Sequence, residues 1–160
     1  MIFWQGAGIT LRQADPLDPE DLAPRLREWD IIEVLATGSD PLTSLTRPFW
    51  NNCGSYTYSF EIDGVLAGMC GFAPLTIREA SIWLLGSKEI DEAGIRFLPA
   101  SRAWLNGIPP YPPVLFNYVP ERRTQSIRWL RWLGFDIGEE ILHLRGVRFR
   151  RFALDRRAVR

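Results

Sequence analysis

Metal ligands, disulfide partners and long apolar runs are all scarce in this sequence. Its 160 residues include two cysteines, Cys53 and Cys70, and one histidine, His143, none of them at metal-ligand spacing. This composition excludes a zinc constellation and a disulfide-stapled miniprotein, so we predict reduced thiols and no metal. The longest apolar runs, 65–73 and 82–85, are far shorter than the ~20 residues of a membrane span, which excludes a transmembrane helix.

Lysine is nearly absent as well, because Lys88 is the only one among 19 basic residues, and 19 acidic residues balance the total. A net charge of zero gives the whole chain no attraction to nucleic acid, and we predict that nucleic acid is not a partner. The balance is nevertheless uneven, since residues 122–160 contain eleven arginines and four carboxylates. That surplus indicates either a basic partner surface or internal ion pairs with the acidic first part of the chain.

No linker, repeat or low-complexity segment divides the chain, and its 46% of hydrophobic residues suffices for one continuous core. We predict a single domain over 1–160, with its core at 9–154 and flexible ends at 1–8 and 155–160. The first residues carry no basic segment before a sustained apolar stretch. We therefore expect no signal peptide and a cytoplasmic location.

Apolar periodicity and turn residues predict one strand and two helices at the start of the chain. Residues 9–14 alternate as a strand, and Asp18 begins a helix whose apolar positions recur at helical spacing until Gly38. Asp40 begins a second, shorter helix. Pro48 is expected to limit its length, because a proline inside a helix removes a backbone hydrogen bond.

A β-hairpin is the clearest local prediction. Residues 56–62 and 65–72 read as strands, and Asp63-Gly64 between them suits a type I′ turn. The remaining elements are a strand at 80–85, a helix at 95–105, a strand at 114–119, a helix at 124–133 and a closing strand pair at 137–144 and 147–154. The order β-α-α-β-β-β-α-β-α-β-β predicts an α/β fold in which helices flank one mixed central sheet.

This order, together with short motifs, resembles a known fold family. Residues 126–135, Ser-Ile-Arg-Trp-Leu-Arg-Trp-Leu-Gly-Phe, look like the helix and Gly-Phe ending of the GCN5-related N-acetyltransferases (GNAT). The resemblance covers nearly the whole chain and implies a sheet splayed between the strands at 80–85 and 114–119. More narrowly, residues 28–34, 82–86 and 129–135 resemble the GNAT-like internal virion proteins of T7-type bacteriophages.

The resemblance also implies where acetyl-CoA would bind. Backbone groups on the strand would pair with the pantetheine arm, and the loop after it would hold the pyrophosphate; these residues are Trp83, Leu84, Leu85, Gly86, Ser87 and Lys88. Asn117 faces the cleft as a ligand or caps backbone groups at the strand end. Glu89, Asp91 and Glu92 place negative charge where the phosphates would lie, so we expect weak binding of acetyl-CoA or none.

The residues for acetyl transfer are incomplete. Leu130 occupies the position of the family's usual tyrosine acid, and leucine cannot donate a proton, so Tyr118 or Tyr111 would have to replace it. Asp30 and Glu33, one turn apart, could act as the base for the amine, although such a pair also suits a solvated helix face. Other carboxylates that could approach the cleft are Glu61 and Glu79.

Two functions follow from these patterns. The first is a degenerate acetyltransferase scaffold that binds a host or virion protein, in a host cytoplasm or a virion. The second is an active acetyl-CoA-dependent N-acetyltransferase acting on a protein or a small amine. For the first, we predict a partner surface where arginine and tryptophan alternate on one helix, at Arg128, Trp129, Arg131 and Trp132.

Overall fold

Eight strands form one mixed sheet in the computed structural model, which describes residues 1–52 and 56–157. The strands are β1 (Ile2–Gly6), β2 (Ile9–Gln13), β3 (Thr57–Ile62), β4 (Val65–Pro74), β5 (Glu79–Gly86), β6 (Val114–Pro120), β7 (Asp136–Leu144) and β8 (Val147–Asp155). The helices are α1 (Asp18–Leu22), α2 (Glu28–Ala36), α3 (Pro41–Asn52), α4 (Lys88–Ala93), α5 (Phe97–Gly107) and α6 (Thr124–Leu133). Cys53 lies outside the described residues.

The sheet confirms the predicted α/β class and both predicted hairpins. Its strands lie in the order β1-β2-β3-β4-β5-β6-β8-β7, and all neighbours are antiparallel except β5 and β6. In the first hairpin Ile62 lies opposite Val65, and Asp63 and Gly64 have φ angles of +50° and +82°, as a type I′ turn requires. In the closing hairpin β7 pairs with β8.

The predicted flexible ends are wrong over most of their length. Ile2–Gly6 forms the edge strand β1, which pairs with β2 through Gly6 opposite Ile9. At the other end β8 continues to Asp155, and the backbone N–H of Arg156 donates to the Pro113 carbonyl at 3.0 Å. Residues 158–160 lie outside the described residues.

The first predicted helix is divided in two. Pro24 lies in a short 3-10 turn, Ala23–Arg25, and Leu26 after it is extended, with φ −61° and ψ 147°. Ala23, the residue before the proline, is still helical, with φ −51° and ψ −44°, so the break follows Pro24, and α2 begins at Glu28. Leu26 forms an isolated antiparallel bridge to Ser87, and this brings the start of α2 to the end of β5.

Two other helices differ from prediction in their bounds. Pro48 lies inside α3, which continues to Asn52, so the expectation that Pro48 would limit this helix is wrong. The predicted helix at 95–105 is the later part of a longer run, in which α4 and a 3-10 turn, Gly94–Arg96, precede α5. Pro99 falls in the first turn of α5, where the backbone N–H has no intrahelical partner to lose.

Helices cover both faces of the sheet and enclose two cores. On one face, α5 and α6 pack on β2, β3 and β6 through residues such as Phe60, Phe97 and Leu130. On the other face, α1, α2 and α3 pack on β4 and the end of β5 through residues such as Leu45, Met69 and Leu85. The strands β5 and β6 lie between these two layers, so any opening between them is reached from both helical layers.

Candidate functional site

The sheet opens between β5 and β6. These strands pair through three positions, Glu79 with Val114, Ala80 with Leu115 and Ser81 with Phe116. Beyond them the strands separate, which is the splay implied by the sequence resemblance. A cleft of about 1280 Å³ fills this opening and extends between the helices on either side.

One wall of the cleft is the end of β5. Trp83, Leu84 and Leu85, the residues predicted to hold a pantetheine arm, line it. Successive residues of a strand direct their backbone groups to opposite neighbours. The Ile82 carbonyl and both backbone groups of Gly86 bond toward the cleft side, so the N–H and C=O of Leu84 point into the cleft.

The loop that would hold the pyrophosphate does not line the cleft. Gly86 and Ser87 are buried, and the Gly86 N–H donates to Oδ2 of Asp30 at 3.0 Å. The Gly86 carbonyl accepts the N–H of Arg27 at 2.9 Å, and the Ser87 N–H donates to the Ala67 carbonyl at 2.8 Å. Lys88 is exposed outside the cleft. The backbone donors of Gly86 and Ser87 are therefore already bound to the chain itself.

Glu89 adds a negative charge at the same loop. The Ser87 hydroxyl donates to the Glu89 carboxylate, and this hydrogen bond is the main reason why the pKa of Glu89 lies below its ordinary value. Glu89 also accepts its own backbone N–H, and Arg25 lies 3.9 Å from it. The Glu89 carboxylate thus lies beside the first turn of α4 and accepts the Ser87 hydroxyl and its own N–H, two donors that a phosphate bound there would need.

Asp30 is the centre of a buried ionic cluster that joins α2, β5 and the start of α6. Its side chain is wholly buried, and it accepts Arg27 Nε at 2.8 Å and Arg123 Nη1 at 2.7 Å in addition to the Gly86 N–H. Arg27 also binds Asp91 at 2.9 Å. These contacts favour a structural role for Asp30 over the catalytic role predicted from its spacing.

Glu33, the other predicted base, lines the cleft beside this cluster. Arg123 Nη1 lies 3.3 Å from its Oε2. Burial, followed by the charge of Asp30, raises the pKa of Glu33 to about 8, although Arg123 and Arg27 act in the opposite direction. Of the carboxylates around Arg27 and Arg123, Glu33 is therefore the one whose protonated form burial favours.

The strand β6 supplies the facing wall. Asn117 Nδ2 donates to the Ile82 carbonyl at 2.6 Å, and its Oδ1 accepts the N–H of Tyr118 at 2.8 Å. Of the two predicted roles for Asn117, these contacts favour the capping of backbone groups at the point where the strands part. Tyr118, the predicted acid, lines the cleft, whereas Tyr111 is exposed and does not.

The tryptophans of α6 occupy different environments. Trp129 packs against Phe97 and donates through Nε1 to the Ser101 hydroxyl at 3.1 Å, so it joins α6 to α5. Trp132 is 46% exposed, and the guanidinium of Arg102 lies over its ring at 4.4 Å. Arg128 and Arg131 are exposed. The structure therefore leaves three of the four predicted partner residues on the surface.

Most arginines of the C-terminal segment bind groups of the chain itself. Arg148 pairs with Glu121 at 2.7 Å, Arg151 with Glu79 at 3.1 Å and Arg157 with Asp155 at 2.7 Å. Arg156 donates to the Ile108 carbonyl at 3.1 Å. Ion pairs with carboxylates outside this segment, at Glu121 and Glu79, thus offset part of the positive surplus noted in the sequence.

Within the described part of the chain, the remaining thiol and the histidine form no second site. Cys70 is buried in β4, and burial raises the pKa of its thiol. His143 is exposed on β7. Over residues 1–52 and 56–157, no group of three His, Cys, Asp or Glu side chains could hold a metal ion. Within the same residues, no helix has the length and apolar character that a bilayer crossing requires.

Sequence reasoning missed two residues of this site. The bridging position of Arg123 could not be foreseen, because it binds a residue 93 positions away. Arg27 had a local signal, since it precedes Asp30 by three residues, a spacing that places the two side chains together when the chain turns as a helix. The sequence analysis did not predict the division of the helix near Pro24, which brings Arg27 to the end of β5.

No family model and no curated protein matches this sequence. Solved structures of similar fold do exist. A GNAT-family acetyltransferase from Bacillus anthracis superposes with a TM-score of 0.68 at 14% identity, covering 98% of this chain and 99% of that one. RimL, a ribosomal L7/L12 α-N-protein acetyltransferase solved with coenzyme A, gives 0.64 at 14% identity, covering 97% and 98%. YncA, a putative acetyltransferase from Salmonella typhimurium solved with acetyl-CoA, gives 0.58 at 15% identity, covering 93% and 94%.

Proposed function

We propose that this protein, which has the fold of GNAT acetyltransferases, acts by binding another protein and binds acetyl-CoA weakly or not at all. One observation carries the proposal. The loop that would receive the coenzyme pyrophosphate is bound instead by carboxylates of the chain, since Asp30 takes the Gly86 N–H and Glu89 takes the Ser87 hydroxyl. A phosphate would have to displace both groups.

Electrostatics opposes the binding of a pyrophosphate at this loop. Backbone donors at a helix N-terminus favour an anion by about 1 kcal/mol. Two like charges 4 Å apart at an effective dielectric constant of 20 repel by about 4 kcal/mol. The repulsion between a pyrophosphate and the Glu89 carboxylate is therefore larger than the attraction from the first turn of α4. The residues predicted to hold the pantetheine arm, Trp83 to Leu85, line the cleft and carry no such charge.

The proposed partner is a host or virion protein. Its support is the resemblance of residues 28–34, 82–86 and 129–135 to internal virion proteins of T7-type phages. The proposed contact surface is the exposed part of α6, at Arg128, Arg131 and Trp132. Trp129 is left out of this surface because it packs between α5 and α6.

A comparison of two ligands tests the proposal. Acetyl-CoA and S-acetyl-pantetheine share the thioester and the arm, but the second lacks the pyrophosphate and the nucleotide. We expect calorimetry to give weak affinities for both that agree within about twofold, because the loop adds nothing to binding. Micromolar binding of acetyl-CoA, at least tenfold tighter than acetyl-pantetheine, would overturn the proposal.

An active N-acetyltransferase is the second candidate, and Glu33 is the observation in its favour. This carboxyl lines the cleft with a pKa raised to about 8, in the range where a base accepts a proton from an amine near neutral pH. The amine nitrogen would attack the thioester carbonyl and form an amide while the coenzyme leaves as its thiol. Thiol release with spermidine or an N-terminal peptide, abolished in Glu33→Gln, would establish this candidate in place of the first.

A further inference from the structure

The helical layer formed by α5 and α6 is devoid of carboxylates. Neither helix contains Asp or Glu, and between residues 94 and 135 the sole acidic residue is Glu121. Glu121 is already paired with Arg148 at 2.7 Å. The outer surface of this layer therefore has no negative charge of its own to offset its arginines.

Three arginines of this layer lie around Trp132. Arg128 and Arg131 are exposed, and no carboxylate of residues 1–52 and 56–157 is within ion-pair distance of either. Arg102 lies over the Trp132 ring at 4.4 Å and donates through Nη2 to the Trp132 carbonyl at 2.8 Å. We call these four residues, Arg102, Arg128, Arg131 and Trp132, the α6 patch.

The arginines of the α6 patch differ from exposed arginines that are already paired. Arg148 and Arg157 are also exposed, but each is held by a carboxylate at 2.7 Å. Arg128 and Arg131 are one helical turn apart on one face of α6, so both guanidinium groups are available to the same partner. Trp132 adds large apolar area beside them, which is the composition of interface residues that dominate binding energy.

We infer that the α6 patch docks an acidic, amphipathic segment of the partner protein, with carboxylates about one turn apart and an apolar side chain against Trp132. This inference rests on the proposed function and names the chemistry of its partner. The arginines of the α6 patch attract acidic side chains of a partner and repel basic ones. The exposed indole of Trp132 favours a segment that also carries an apolar side chain.

The observations favour a protein over a nucleic acid. Nucleic-acid affinity comes largely from phosphate contacts, and proteins that bind this way make about 6 to 10 of them. The α6 patch offers three guanidinium groups, and one face of its aromatic ring is already covered by Arg102. A base-stacking platform with a long cationic track is thus missing from this surface.

A fluorescence polarisation experiment tests the inference on the full chain. The probe is a labelled helical peptide in which pairs of Glu one turn apart flank Leu, and the comparison probes are the same peptide with Lys for Glu and a single-stranded oligonucleotide. We expect the acidic peptide to bind, the Lys peptide not to bind, and the affinity to fall as salt is raised. The double variant Arg128→Gln, Arg131→Gln and the single variant Trp132→Ala should each weaken binding at least about tenfold.

Arg148→Gln with Arg157→Gln is the matched control, because it removes the same charge from exposed arginines that are already paired. It should change the affinity by less than about twofold. Equal losses in both double variants, tighter binding of the oligonucleotide, or self-association of the chain through the patch would overturn the inference. The acetyl-CoA comparison probes the loop at Gly86 to Glu89 with a different ligand, so failure of one experiment leaves the other result standing.

Discussion

The Asp30 carboxylate and the Arg123 guanidinium lie 2.7 Å apart although 93 residues separate them in sequence. The pair reaches from α2, on one face of the sheet, to the start of α6 on the other, beside the point where β5 and β6 part. Because Asp30 also holds the Gly86 N–H, the end of β5 is tied to the same cluster. Asp30 thus joins the two helical layers beside the cleft and occupies the Gly86 N–H, one of the donors predicted for a phosphate.

Replacing Asp30 should therefore destabilise the fold strongly. Asp30→Asn leaves Arg27 and Arg123 buried without their shared anion, and loss of one partner of a buried ion pair costs about 3 to 5 kcal/mol. Denaturant unfolding measures this change. The matched control is Asp91→Asn, which removes an exposed partner of Arg27 and should cost less than about 1 kcal/mol. Similar losses of unfolding free energy in the two variants would show that the Asp30 cluster does not hold these elements together.

Stability should fall as the solution becomes more alkaline, because of Glu33. Its pKa in the folded chain is raised to about 8, so between its unfolded value and that pH the folded state holds a proton that the unfolded state has released. Folding stability then decreases with rising pH over this window, by up to about 1.4 kcal/mol per pH unit. In Glu33→Gln the decrease should be absent and the variant should exceed the parent at pH 8. Parallel curves of unfolding free energy against pH would contradict this assignment.

Local patterns predicted most of the fold, and long-range contacts decided the site. The hairpin at Asp63-Gly64 was predictable because its turn and both strands are adjacent in sequence. The edge strand β1 was missed, since an edge strand exposed on both sides lacks the alternating pattern that marks a half-buried strand. The negative charge of Glu89 predicted weak phosphate binding from sequence. The role of Asp30 was not predictable in this way, because it depends on a hydrogen bond to Gly86, 56 positions away. Sequence spacing alone does not contain that information.

Removing the charge of Glu89 should increase the affinity for acetyl-CoA. Glu89→Gln frees the Ser87 hydroxyl from an anion and removes a repulsive charge, and a gain of ~1 kcal/mol or more corresponds to an increase in affinity of about fivefold or more. Calorimetry with acetyl-CoA and acetyl-pantetheine measures the gain, which should appear for acetyl-CoA alone. Glu92→Gln is the control: it removes the same charge from α4 at an exposed position and should change affinity by less than about twofold.

The two tryptophans of α6 should respond differently to truncation. Trp129→Ala removes a ring that packs on Phe97 and a hydrogen bond to Ser101, and such a loss costs about 3 to 5 kcal/mol of folding stability. Trp132→Ala removes a half-exposed ring and should cost less than about 1 kcal/mol. Thermal or denaturant unfolding distinguishes them. If Trp132→Ala proves as destabilising as Trp129→Ala, then Trp132 is part of the core and the α6 patch loses its apolar centre.

The closeness of Gly86 to Ile90 provides a direct test of how tightly the former phosphate loop is packed. A Cβ at position 86 would overlap Ile90 Cδ1 and lie 3.1 Å from the Ala67 carbonyl oxygen, so Gly86→Ala forces the loop or the isoleucine to move. Such overpacking costs about 1 to 3 kcal/mol.

Adding Ile90→Val to Gly86→Ala removes the Cδ1 atom that makes the closest contact. The double variant should therefore be more stable than Gly86→Ala alone, even though Ile90→Val by itself loses about 0.5 to 1.5 kcal/mol. Unfolding free energies of the parent, both single variants and the double variant give the coupling between the two positions. Additive losses would mean that the loop relaxes away from α4 on its own, and a loop that moves so readily could also open to admit a phosphate.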